Sequence, residues 1–363
     1  MRIKPYAMWV ILAGLLLAPV QAVRAQAYVQ AVSDFDALVR EYNVITFGNA
    51  TFTNYGDTWG PVAVGGNLTL NGGAVAIHSD VSTVSNDPTL YVNGQLTVTG
   101  DVQLNNGYAS LPNDTGSWTW NSTQKVLTST TTGGKLYSIN SSNPLAANDP
   151  RTNAGPTGWN WASIQSQATT LSATLAAAAQ TGTIAVNGSQ TLTFVSTTTA
   201  DGVVVFQLDA SLLGNGTYNG QAFSNLSFSI GANQTAVVNV INAAGKTLFG
   251  SGVNFNDPGI ADRLLWNITG SGSVSLGNGG QFYGSVLAPL VSLSNANNTS
   301  INGQIIAGSL SYSNAELHDT AFTPVGLGVL VPEPSTYALW GAALCAMGFI
   351  LRRRLSRRLD ARR

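Results

Sequence analysis

The chain has 363 residues, a formal net charge of −1, 9% charged side chains and a single cysteine, Cys345. About a quarter of residues are charged in an average globular domain, so a charged helical bundle or coiled coil is excluded, and one cysteine rules out a disulfide scaffold. The 44% of apolar residues sets the chain apart from low-hydrophobicity disorder. Between residues 28 and 325 there are six basic and fifteen acidic residues, a balance of −9 that opposes nucleic-acid binding.

Residues 1–27 place Arg2 and Lys4 before an apolar run from Met8 to Val20 and a small-residue site, Ala25-Gln26-Ala27. This order predicts a secretory signal peptide, cut by signal peptidase.

Gly, Asn, Ser and Thr alternate with β-branched and aromatic residues through the body, which predicts an all-β domain over 28–325. Segments 64–72 (VGGNLTLNG) and 92–100 (VNGQLTVTG) match at an offset of 28, and 284–294 realigns on 303–313 at an offset of 19. The second match pairs Val286 with Ile305, Ser292 with Ser311 and Ser294 with Ser313. Periods of this size are single coils of a solenoid, each burying its apolar side on the next. The unequal offsets predict an irregular or discontinuous β-solenoid. Leu68, Leu70, Leu96 and Val98 then point inward, Thr69 and Thr97 outward, with Gly and Asn in left-handed positions at the corners.

Pro112 to Pro156 reads as a long surface insertion. It carries Trp118 and Trp120, whose W-x-W spacing puts both rings on one face of a strand. An exposed pair would form a ligand patch for sugar rings; the alternative is burial. For Trp159 and Trp161, burial against the following helix is expected. That helix is predicted over 160–180, packed alongside the coils: Ile164, Ala168, Leu171, Leu175 and Ala178 share a face, Asn160 caps the start, and Gly182 follows the last turn. Short strands are predicted within 183–250.

Asn254, Asn256, Asp257 and Asp262 supply oxygen ligands of the kind calcium takes, although such clusters also build turns. No other metal and no cofactor is expected. His78 and His318 are the only histidines. His318 beside Asp319 invites comparison with a triad, but no nucleophile elbow accompanies it, and a hydrogen-bonded structural role is expected. Fifteen scattered acids single out no glycosidase pair.

The C-terminal region has three parts. Residues 326–336 form a linker containing Pro332, Glu333 and Pro334; 337–351 are apolar; 352–363 contain Arg352, Arg353, Arg354, Arg357 and Arg358 among seven arginines. As a helix the apolar run covers about 22 Å, a short transmembrane segment, with the arginine cluster as its cytoplasmic stop.

This tail resembles the PEP-CTERM sorting signal. The resemblance implies recognition by an exosortase, a membrane cysteine transpeptidase, with passage from a transient inner-membrane anchor to the surface or matrix of a Gram-negative cell. The body is similar to the choice-of-anchor A family of adhesive domains through FDALVREYNVITFGN, GPVAVGGNLTL, the helix, TAVVNVI and the closing GSVLAP…INGQIIAGSL…ELHDTAF. Thr58-Trp59-Gly60 stands where that family has an acid before its first glycine. The closing coils also look like the end of ice-binding β-solenoids, which implies a helix lying along the coils.

Taken together these features predict a non-enzymatic exported surface protein that adheres to extracellular polysaccharide or other cell-surface components, with a link to biofilm. Ice binding is the alternative from another class, requiring outward Thr ladders, of which Thr69/Thr97 is the one registered pair. A polysaccharide-degrading enzyme is the third.

Overall fold

Short β-branched runs interrupted by Gly and Asn can bury only a few apolar residues each, and they gain stability by stacking in parallel. The computed structural model describes residues 27–327 apart from 55, 79–86, 215, 251, 278, 279 and 297. The leader before residue 27, Pro332, Glu333, Pro334, the apolar run 337–351, Cys345 and the terminal arginines lie outside the described residues. No described helix is long and apolar enough to cross a membrane.

The chain enters through helix α1 (27–39). The first coils are β1 (Val44–Thr46), β2 (Ala50–Thr53), β3 (Val62–Val64), β4 (Leu68–Asn71), β5 (Ala74–Val75), β6 (Leu90–Val92), β7 (Leu96–Val98), β8 (Asp101–Leu104) and β9 (Ala109–Ser110). Next come β10 (Trp118–Asn121), β11 (Val126–Ser129) and β12 (Lys135–Tyr137), then α2 (Trp161–Ala176). The chain continues through β13 (Gly182–Val186), β14 (Thr191–Ser196), β15 (Gly202–Asp209), β16 (Leu213–Gly214), β17 (Thr217–Tyr218), β18 (Gln221–Ala222), β19 (Asn225–Ser229) and β20 (Gln234–Ile241). It closes with β21 (Lys246–Leu248), β22 (Asn254–Phe255), β23 (Leu264–Ile268), β24 (Gly272–Leu276), β25 (Gln281–Tyr283), β26 (Ser285–Asn295), β27 (Ser300–Asn302), β28 (Ile305–Ser313) and β29 (Leu317–His318).

The described residues are thus mostly β, and their sheets are open. The longest path runs β15-β20-β23-β26-β28-β1-β3-β6-β9, parallel throughout. Sequence order is broken at one place, where β28 from the end of the chain lies beside β1 from its beginning. Segments 64–72 and 92–100 are stacked neighbours in the predicted register, with Val64 opposite Val92, Leu68 opposite Leu96 and Leu70 opposite Val98.

A single inward column runs across this path: Phe206, Val238, Trp266, Val286, Ile305, Val44, Val62, Leu90 and Ala109. The opposite side of the same strands is buried too. Ile45, Ala63, Val205, Val237, Leu265, Leu287 and Ile306 pack with Phe35 and Val39 of α1 and with Ala168, Leu171 and Leu175 of α2. Two helices therefore cover this sheet where the sequence predicts one. Helix α1 escaped prediction because its apolar residues Val32, Phe35 and Val39 recur over too short a stretch to stand out from the strand-like pattern that follows.

Helix α2 begins as predicted, with Asn160 Oδ1 accepting the Ser163 N–H at 2.9 Å. It ends at Ala176 rather than near residue 180, and Gly182 opens β13 instead of capping the helix. The strands predicted in 183–250 are present as β13, β14, β15, β19 and β20.

Two further expectations are corrected. The offset of 19 holds for Val286/Ile305 through Ala288/Ala307 and then falls to 17, pairing Ser292 with Ser309 and Ser294 with Ser311. Pro289, which has no N–H to donate to the ladder, sits in the bulge. Gly66 and Gly94 are required by space, not by left-handed backbone. An added Cβ would lie 2.7 Å from the Gly48 carbonyl carbon and 2.5 Å from the Gly66 carbonyl oxygen respectively. Gly72, at φ +78°, does use the left-handed region.

The segment 112–156 is more than a surface loop, since β12 adds in parallel to β8 and extends that sheet through β11 and β10.

Candidate functional site

A second face of the coils is left uncovered by the helices. It runs β21-β24-β26-β28-β2-β4-β7. Alternation sends Leu248, Val274, Leu276, Leu293, Leu310, Phe52, Leu68, Leu70, Leu96 and Val98 into the core. Their neighbours face outward and fall into one column: Thr247, Ser275, Ser294, Ser311, Thr51, Thr69 and Thr97. Seven stacked strands thus each place one hydroxyl on the same line, about 4.8 Å apart.

A shorter column of Ser273, Ser292 and Ser309 lies beside it, with Ser309 Oγ 2.9 Å from Ser292 Oγ. On the other side stand Ser313, Thr53 and Asn71. Strand side chains repeat every two residues, so the two-residue slip in β26 keeps serine opposite serine. A slip of one would have turned the hydroxyls inward.

The face carries almost no charge. Strands β2, β4, β7 and β24, with the second halves of β26 and β28, contain no Asp, Glu, Lys or Arg; Lys246 stands at the edge in β21. The corner beside the ladder is tied by amides. Asn49 Oδ1 accepts the Asn67 N–H and Asn67 Oδ1 accepts the Gln95 N–H, both at 2.9 Å. These bonds carry the coil-to-coil register into the corner and hold successive rungs in line. The sequence shows the Thr69/Thr97 pair but not the other rungs: Thr51 lies 18 residues before Thr69, outside the 28-residue repeat, and Thr247 to Ser311 come from coils that meet the first ones only in space.

Elsewhere the predicted residues behave differently. Trp118 and Trp120 share one face of β10, but both rings are half-buried against the core. Trp120 extends the inward line of Val102, Leu136 and Leu127, and Trp118 Nε1 is buried without a hydrogen-bond partner. Trp159 and Trp161 form an aromatic cluster with Tyr42, Phe47 and Tyr91; the two indoles lie 5.3 Å apart.

His318 Nδ1 lies 2.6 Å from Asn302 Oδ1, and Nε2 lies 3.0 Å from Glu316 Oε2. Its ring stacks on Trp59 at 4.2 Å, and His78 stacks on Trp59 at the same distance. Burial and the nearby Glu316 carboxylate hold Asp57 above the usual carboxylate range. The Thr58 hydroxyl accepts the Ala76 N–H at 3.3 Å.

In the calcium candidate, Asp257 Oδ2 accepts the Phe228 N–H at 2.8 Å, while Asp262 Oδ2 faces the Thr323 hydroxyl at 3.4 Å. Asn254 and Asn256 bond through their backbone N–H groups to Ser224 and Leu226. The two carboxylates are held by different neighbours, as turn-forming acids are. Among the described residues no group of three or more His, Cys, Asp or Glu is placed to hold a metal ion.

Comparison with known proteins gives two family matches. Residues 330–354 match the PEP-CTERM protein-sorting motif, which implies exosortase-mediated sorting and export to the cell surface. Among solved structures the chain is similar to an ice-binding protein from Arctic yeast, at 11% identity over 80% of this chain and 94% of that one, with a TM-score of 0.31. It is similar to an ice-binding protein from an Antarctic biological consortium at 13% identity, 77% and 87% coverage and a TM-score of 0.30. For the DUF3494 domain of ice-binding protein 1 of Shewanella frigidimarina the values are 13%, 77%, 96% and 0.30. No curated protein matches the chain. Residues 35–319, most of the chain, match the family described as "Putative Ice-binding-like adhesive domain", and the chain belongs to that ice-binding-like adhesive family.

Proposed function

We propose that this is a non-enzymatic adhesion module, an irregular β-solenoid of the choice-of-anchor A kind, that binds neutral hydroxyl-rich polymer in the extracellular matrix. The observation that carries the reading is the seven-rung hydroxyl column on a face with almost no charge. An uncharged array gains nothing from ionic ligands. It recognises by many hydrogen bonds, each worth about 1 kcal/mol net, and a repeating ligand is needed to engage them together. Residues 1–27 serve in this reading as the signal peptide and 337–351 as the transient membrane anchor, with exosortase and signal peptidase as processing partners. The link to biofilm follows from the ligand class.

The test is retention of the purified protein on immobilised neutral polysaccharides, with anionic polymers as controls. Retention on the neutral polymers that withstands raised salt is expected; no retention on any of them removes the reading.

A second reading is favoured by the same ladder and by the family to which the chain belongs. A column of hydroxyls at the strand-to-strand repeat also suits the surface of ice. Inhibition of ice recrystallisation by a protein that ignores every polymer would select it.

A further inference from the structure

The place where the stack departs from sequence order has a mechanical consequence. Strand β1 has two neighbours, β3 close by in sequence and β28 from the far end of the chain. Strand β2 likewise lies between β4 and the second half of β28. Until β28 arrives, β1 and β2 present an unpaired parallel edge, and the inward column stops at Val44. On the other side β26 ends in the same way. Open edges and exposed column ends are costly, since each buried strand relies on both neighbours.

The same late segment holds the first helix. Gln304 Nε2 donates to the Val39 carbonyl at 2.9 Å, across 265 residues of chain. Gln304 Oε1 accepts the Phe322 N–H at 2.9 Å, and the Phe322 ring meets Phe35 of α1 edge-on at 5.2 Å. Asn43 Nδ2 donates to the Leu317 carbonyl at 3.4 Å, across 274 residues, and the Ile305 N–H donates to the Asn43 carbonyl at 2.7 Å. Apart from the Gln304–Phe322 bond, which orders the late segment itself, these contacts join residues 35–43 to the last coil.

We propose that residues 299–322 act as a keystone: the stack cannot close around β1, β2 and α1 until this final coil is inserted, so completion of the fold waits for the C-terminal end of the chain. Chains are made and exported from the N-terminus, so the early coils stay open during passage and close on the far side of the membrane. The device fits a protein whose sorting motif follows directly after the keystone. Its contacts are also the most distant in sequence, and ordering a long loop before the reward arrives makes such closure slow.

Pulse-labelled hydrogen exchange during refolding of the full chain tests this directly. Amides of β1 and β2 are expected to gain protection in the same phase as those of β28; protection of β1 and β2 in an earlier phase overturns the proposal. Two full-chain variants separate the keystone from general destabilisation. Ile306 and Val205 are both fully buried in the layer beneath the helices, Ile306 in the keystone and Val205 at one end of the path. Ile306→Asp is expected to raise proteolysis of residues 44–75 at least tenfold, and Val205→Asp to leave that segment protected. Equal behaviour of the two variants overturns the proposal.

Discussion

Asn267 donates from Nδ2 to Asn239 Oδ1 at 2.7 Å, and these two asparagines, opposite one another on β23 and β20, fix helix α2 on the sheet. Asn267 Nδ2 also donates to the Ser172 carbonyl at 2.9 Å, and Ser172 Oγ donates to Asn267 Oδ1 at 2.6 Å. Asn239 Nδ2 donates to the Leu175 carbonyl at 2.7 Å. Both asparagines are fully buried, so the alternative to these bonds is an unmet polar group in the core. An apolar helix stripe could slide along an apolar sheet; the amide pair gives it one position.

Asn267→Ala is therefore expected to destabilise the domain by about 1–3 kcal/mol, because Asn239 Oδ1 and the Ser172 groups lose their partners in a dry site. Denaturant unfolding measures the loss, and a double-mutant cycle with Asn239→Ala should show non-additivity.

A charge placed on the hydroxyl column should abolish retention without harming the fold. Thr97→Asp or Ser311→Asp leaves stability within about 0.5 kcal/mol, as exposed substitutions do. Binding to the immobilised polymer is expected to fall at least tenfold. Retained binding in both variants would move the ligand to another face.

Gly94→Ala should destabilise strongly although the residue carries no side chain of its own. The new methyl group would meet the Gly66 carbonyl oxygen at 2.5 Å, and backbone cannot swing aside as a flexible side chain can. A loss of about 1–3 kcal/mol is expected from such overpacking. Gly188→Ala, where an added Cβ meets open space, is the control and should leave the melting temperature nearly unchanged.

The acid limb of stability should respond to Asp57. Its carboxyl titrates above its ordinary value of 3.8 in the folded state because burial and Glu316 disfavour the charge. Between that ordinary value and the raised one the folded state binds more protons than the unfolded, so stability falls as pH rises through this window. Asp57→Asn is expected to flatten that part of the curve and to stabilise the protein at neutral pH. Asp149 works in the opposite sense. Its hydrogen bond from Arg151 lowers its pKa, so the stability it contributes above 3.8 is lost as pH falls through the folded value. Thermal melts of Asp57→Asn and Asp149→Asn across the acid range check both signs.

Local pattern carried much of this protein. Turn residues between β-branched runs, the 28-residue repeat and the Asn160 cap are signals within one strand or one helix turn, and the strands, the register of β3/β6 and β4/β7 and the start of α2 followed from them. Identical spacing forces neighbouring coils into one alignment, since a one-residue slip would expose Leu68 and Leu70. What the chain could not reveal by itself is which coils are neighbours when they are far apart in sequence. Tertiary structure decided that β28 lies beside β1, and so extended the Thr69/Thr97 pair into seven rungs. It also placed Trp120 on the end of an apolar column, packed Trp118 against the core and brought α1 onto the sheet beside α2. The physical reason is that a strand's pattern records its own inward and outward faces but carries no label for the strand across the hydrogen bonds. That choice is made by whichever edge and apolar column remain open when the chain closes.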